Sequence, residues 1–184
     1  MSCVTTDINY KDSGHGEVQL EIRVPHHHYL DHLMRLNCFS ELIDLFKKAH
    51  SPAKELTESY SACRSLKPWK SLDDVVVLHI GDGAHARTGA MFALLTKHSN
   101  ISIDPQTNMD YCTDWALRHK ITRFNFLKLP WEDCDFKKLV RGRKCLVTFV
   151  HAHVKTQNVI KTLNEAHINW MAAYISGCCK TLDQ

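Results

Sequence analysis

Val75-Val76-Val77-Leu78-His79-Ile80 is an apolar run, broken by a single histidine, that leads straight into Gly81-Asp82-Gly83. A run of that length, rich in β-branched residues, reads as a strand buried on both faces, and a helix-covered parallel sheet is the setting that buries a strand in this way. The two glycines mark a turn where the backbone approaches its surroundings with no side chain in between. Residues from about 88 to 98 then read as a helix, which Gly89 allows to lie close to the sheet, and 100 to 104 read as a second strand closed by Asp104.

The same alternation continues to the end of the chain. A helix is predicted over about 107–119, with Met109, Cys112, Trp115 and Ala116 inward. It is followed by a strand over Ile121 to Leu129, a helix over Glu132 to Val140, a strand over Lys144 to Val150, a helix over Thr156 to Ala166 and a last strand over Ile168 to Ser176. Five strands separated by four helices predict right-handed crossovers. The fold class expected is α/β, a three-layer Rossmann-like open and mainly parallel sheet of order 3-2-1-4-5.

Upstream, Val18, Leu20, Ile22 and Val24 alternate with polar residues until Pro25, the pattern of a half-buried strand and a candidate extra edge strand of the sheet. Leu30, Leu33, Met34 and Leu36, then Phe39, Leu42, Ile43 and Phe46, fall at helical spacing with a break at Asn37-Cys38. Ser51-Pro52 opens a further helix that runs to about Leu66, before Pro68. At 184 residues and 44% hydrophobic content, one domain is expected over 1–184, with an N-terminal strand and helices over 1–70 and the Rossmann-like core over 71–184.

The formal net charge of +3 neither demands nor excludes a nucleic-acid partner. No charged leader followed by an apolar stretch opens the chain, so a cytoplasmic protein without a membrane partner is expected. Eight cysteines without a C-x-x-C pair read as reduced thiols. His26-His27-His28 reads as a solvated turn or a helix start.

Ligands of such sheets bind outside the carboxyl ends of the strands, where Gly81 and Gly83 lie and where the Asp104 carboxylate can accept from the two hydroxyls of a ribose. Turn, helix and acid together resemble the class I S-adenosylmethionine-dependent methyltransferases, over about residues 60 to 178. The resemblance implies S-adenosylmethionine as cofactor, with Gly81, Asp82 and Gly83 along its methionine portion and Asp104 on its ribose. Pro130-Trp131-Glu132-Asp133 takes the place near the adenine, where Trp131 either stacks on the base or packs into the core. Seven strands are usual in that family, and the N-terminal strand is the candidate to complete a sheet in which five are read here. His85-Ala86-Arg87-Thr88 stands where a third glycine is common. Arg87 therefore either reaches an anion such as the cofactor carboxylate or serves its own helix. Asp82, an acid without a packing role, either meets the cofactor ammonium or stabilises the turn.

His151 and His153 follow the fourth strand of this core, with His151 the candidate general base toward an unknown methyl acceptor. Spaced by two, they share a side if the strand continues, and Cys178 and Cys179 after the next strand could complete a zinc site, although the spacing matches no standard motif. No metal is assigned. Two further readings stand beside the first. One is a non-catalytic Rossmann-like domain whose N-terminal helices bind a protein or nucleic-acid partner. The other is a nicotinamide dinucleotide protein, since Gly81-x-Gly83-x-x-Ala86 fits G-x-G-x-x-G/A and places a helix N-terminus for pyrophosphate.

Overall fold

The computed structural model describes residues 7–12, 18–23, 28–69 and 71–175, which fall into two compact units, one up to Thr57 and one from Glu58 onward. In the first, β1 (Asp7–Asp12) and β2 (Val18–Arg23) pair antiparallel, with Asp7 opposite Arg23 and Asp12 opposite Val18. The alternating run is a strand as expected. It does not extend the large sheet: among the described residues its partner is β1, in a two-stranded sheet of its own. Asp7–Asp12 carries four polar residues in six, which hid that partner from a reading based on apolar alternation. Helices α1 (His28–Leu33) and α2 (Phe39–Phe46) flank the anticipated break, burying Leu33, Leu42, Leu45 and Phe46, and α3 (Pro52–Ser65) runs across the boundary between the units.

The second unit holds β3 (Val75–Ile80), α4 (Arg87–Leu95), β4 (Ser99–Ile103), α5 (Met109–Arg118), β5 (Phe124–Leu127), α6 (Phe136–Val140), β6 (Lys144–Phe149), α7 (Thr156–Glu165) and β7 (Trp170–Ile175). All five strands are parallel, in the order β5-β4-β3-β6-β7. Counted from β3, this is the expected 3-2-1-4-5 order of a Rossmann-like sheet. The predicted strand over 121–129 shortens to Phe124–Leu127, since left-handed Lys120 (φ 55°) and Pro130 limit it on either side. The helix predicted over 132–140 divides into a 3-10 turn at Trp131–Asp133 and α6, whose N-terminus is capped by Asp135 accepting from the Lys138 amide at 3.1 Å.

Every residue of β3 is buried, and its alternation feeds two apolar layers. Val76, Leu78 and Ile80 join Ile101, Val147 and Phe149 under α6 and α7, which contribute Phe136, Val140, Val159 and Leu163. Val75 and Val77 join Leu146, Phe92 of α4 and Ala62 and Cys63 of α3 on the other face. Helices therefore cover both faces of the sheet.

His79 continues that second face and is fully paired there. Its Nδ1 lies 2.7 Å from Thr148 Oγ1 on β6 and its Nε2 3.1 Å from Asn100 Oδ1 on β4. The Asn100 amide nitrogen donates to the His98 carbonyl at 2.8 Å, which leaves its oxygen for His79. The ring is thus the Nε2–H tautomer, with Nδ1 accepting from the threonine hydroxyl. Burial holds the His79 pKa below its ordinary value. A group depressed in the folded state contributes stability that is present above its unfolded pKa of about 6.5 and is lost as pH falls below it, at up to about 1.4 kcal/mol per pH unit. Urea unfolding at several pH values should show this slope in the wild type and a shallower one in His79→Gln. Parallel losses in the two proteins would assign the slope to other histidines.

Candidate functional site

The chain leaves β3 for β4 and β5 on one side and returns to β6 and β7 on the other, so the carboxyl end of β3 is the switch point of the sheet. The loop after β3 and the loop after β6 meet there. Gly81 (φ +68°) and Gly83 (φ +75°) are both left-handed, which explains glycine at each. They differ in their surroundings. A Cβ on Gly81 would lie 3.0 Å from the Ala152 Cβ and 3.7 Å from Val154, so the β6–α7 loop sits directly against that glycine. Around Gly83 no atom lies within 4 Å of such a position.

Asp104 follows β4 as expected and faces this turn. Its Oδ2 accepts from the Gly83 amide at 3.0 Å and its Oδ1 from the Gln106 amide at 2.7 Å. The acid at the strand end is thereby fixed beside the unobstructed glycine. Asp82 has a different set of partners. Its carboxylate accepts from the amides of Thr88 and Gly89 at 2.9 and 2.8 Å and from the Ser102 hydroxyl at 2.6 Å. It thus acts as the N-terminal cap of α4, whose own preceding residue, Ala86, is left-handed (φ 47°) and has no side chain that could cap. Of the two roles open to Asp82, the one supported by these bonds is stabilisation of the turn.

Arg87 is the first residue of α4 and is half-buried. Trp131 is half-buried as well and packs against the apolar layer under α6 and α7, so at the position expected near the adenine its side chain is engaged with the core.

The histidines after β6 do not follow the expected alternation. The strand stops at Phe149, and His151 turns left-handed (φ 56°), so the spacing of two no longer puts His151 and His153 on one side. The His151 Nε2 pairs with the Glu58 carboxylate of α3, and His153 is exposed. Cys178 and Cys179 lie outside the described residues. Among the described residues no group of three or more His, Cys, Asp or Glu could hold a metal.

No protein-family profile matches this chain, and no curated protein does. A structural match is the crystal structure of a coclaurine N-methyltransferase bound to N-methylheliamine and SAH. It is 11% identical, with a TM-score of 0.44, over 77% of this chain and 49% of that one. The chain spans about half the length of the methyltransferase structure it matches. Similarity of that extent carries no functional argument, which rests instead on the residues around the turn.

Two contributors at this site escaped the sequence. Glu58 is one, because it pairs with His151 from 93 positions away and nothing in α3 marks it. Ser102 is the other, although its position in β4 opposite His79 did place it on the α4 face. Burial pushes the Cys112 and Cys145 thiols up to about 12 and the Cys134 thiol up to about 11, which disfavours the thiolate at each. No described helix is long and apolar enough to cross a membrane.

Proposed function

We propose that this chain is a methyltransferase-like domain that binds S-adenosylmethionine at the switch point of its sheet, with Asp104 on the ribose hydroxyls and Gly83 along the methionine portion. The observation that carries this reading is the 3.0 Å bond from the Gly83 amide to Asp104, which holds a carboxylate at the mouth of a glycine with free space around it. The sulfonium of the cofactor supplies an activated methyl group, whose transfer depends mainly on in-line positioning. His151, held by Glu58, lies at the end of β6 and is the proposed proton acceptor on the side of the methyl acceptor.

Calorimetric titration with S-adenosylmethionine and with its demethylated product tests the reading. Micromolar binding is expected, and Asp104→Ala should weaken it about 30-fold, the worth of about 2 kcal/mol of charged hydrogen bonding. Silence with both ligands in a folded sample would overturn it.

A second reading has its own support. Ala152 fills the approach to Gly81, and the Asp82 carboxylate is engaged within the protein, as suits a non-catalytic domain that retains the fold for a protein or nucleic-acid partner. The nicotinamide reading is the weakest of the three. Pyrophosphate would need the amides at the start of α4, and Asp82 already takes those of Thr88 and Gly89.

A further inference from the structure

At the end of the sheet opposite the glycine turn, the strand order gathers basic residues that the sequence scatters. From one edge to the other, the strands are preceded by Arg118 to Arg123, by Lys97-His98, by Asp73-Asp74, by Arg141 to Lys144 and by His167 to Asn169. Lys97 is paired with Asp73, and Arg118 with Asp114. Lys120, Arg123, Arg141 and Lys144 are exposed, and among the described residues none of them meets a carboxylate. Arg123 is held by the Thr96 carbonyl at 2.8 Å and half-buried Arg143 by the carbonyls of Val140 and Leu139 at 3.0 and 3.2 Å, so backbone oxygens fix these guanidinium groups without neutralising them. Asp74 is the acid that stands against this row. The segments that follow the strands are on balance acidic, with Asp82, Asp104, Glu132, Asp133 and Asp135 against Arg87, Lys128 and Lys155. A chain of net charge +3 is therefore polarised along its strands.

The backbone at the basic end adds an independent observation. Helices α5, α6 and α7 are each followed within two residues by a left-handed position, where glycine or asparagine is the usual occupant. Here the three positions are Lys120 (φ 55°), Arg141 (φ 53°) and His167 (φ 54°). A cation at a helix C-terminus gains less from the helix dipole than a side chain loses in this conformation, so glycine would serve stability better at Lys120 and at Arg141.

We propose that this rim is a docking surface for the phosphate backbone of a nucleic-acid duplex. The row extends about 19 Å across four inter-strand spacings, and its four exposed cations without a carboxylate can neutralise about four phosphates. It has no helix or ribbon that could enter a groove, so it reads charge and shape without sequence. Stacking on unpaired bases would need free aromatic rings. The aromatic neighbours Trp115 and Phe124 are buried, and half-buried Trp170 packs against the apolar layer under α6 and α7. This surface is independent of the proposed cofactor crevice.

Fluorescence anisotropy of the full chain with a labelled duplex of about 20 base pairs tests it, and affinity should fall about 100-fold between about 50 and 200 mM salt. Arg141→Glu with Lys144→Glu should weaken binding at least about 10-fold and flatten the salt dependence, whereas Arg141→Lys with Lys144→Arg should retain it. Lys128→Glu, at the other end of β5, should change affinity less than about 2-fold. Arg141→Gly should raise the melting temperature while weakening binding, an outcome that a purely structural role for Arg141 does not produce. No duplex binding at low salt, an equal loss in Lys128→Glu, or tighter binding to a single strand or to acidic phospholipid vesicles would overturn the proposal.

Discussion

Gly89→Ala should destabilise the protein by about 3 kcal/mol, lowering its melting temperature by about 9 °C. The sign is what makes this informative. Alanine in place of glycine inside a helix ordinarily stabilises by about 0.5–1 kcal/mol. At Gly89 the added Cβ would lie 2.1 Å from Ser102 Oγ, 2.9 Å from the Phe124 ring and 3.1 Å from the His79 ring. Those three side chains stand on β4, β5 and β3, so relief requires α4 to lift off the sheet. Adding Ser102→Ala to the variant removes the nearest atom and should return part of the loss, a coupling that a double-mutant cycle reads directly. Calorimetric melting of the four proteins checks both statements, and a Gly89→Ala protein as stable as the wild type would mean that α4 is not seated as described.

Asp82→Ala should cost about 3 kcal/mol, because one carboxylate satisfies two α4 amides and the Ser102 hydroxyl. Asp82→Asn should cost less, since one acceptor oxygen survives. The measurement is urea unfolding without any ligand. A loss under about 1 kcal/mol would show that the carboxylate is not a structural cap and would return it to the ligand side of the turn. With the cap role, S-adenosylmethionine affinity should suffer far more from Asp104→Ala than from Asp82→Asn.

The fold was legible where periodicity carried it. The buried run 75–80, the glycines after it and the acid closing 100–104 marked the central strand and the turn, the alternation of five strands with four helices pointed to the parallel sheet, and Gly89 announced its close approach to that sheet. Legibility failed where the deciding partner was distant or nondescript. Val18–Arg23 alternates like any half-buried strand, and only its pairing with the polar Asp7–Asp12 shows which sheet it joins. At the site, Asp104 was placed by the rule that an acid ends the second strand. Asp82 could be read outward or inward until the amides of Thr88 and Gly89 claimed it. His151 depended on whether β6 continued, and a left-handed backbone at that residue is not written in side-chain pattern.

The histidine in the middle of β3 has a consequence for how the strands find one another. Its two bonds reach β6 and β4 at once, so one imidazole ties three neighbouring strands on one face of the sheet. Apolar contacts among Val, Ile and Leu tolerate sliding, because one branched side chain packs much like the next. A slip of one residue in β6 would replace Thr148 with Val147 or Phe149 and leave the ring nitrogen without a donor. His79 thus acts as a registration mark, penalising every misaligned pairing of the three central strands and so selecting a single arrangement from many of similar hydrophobic merit.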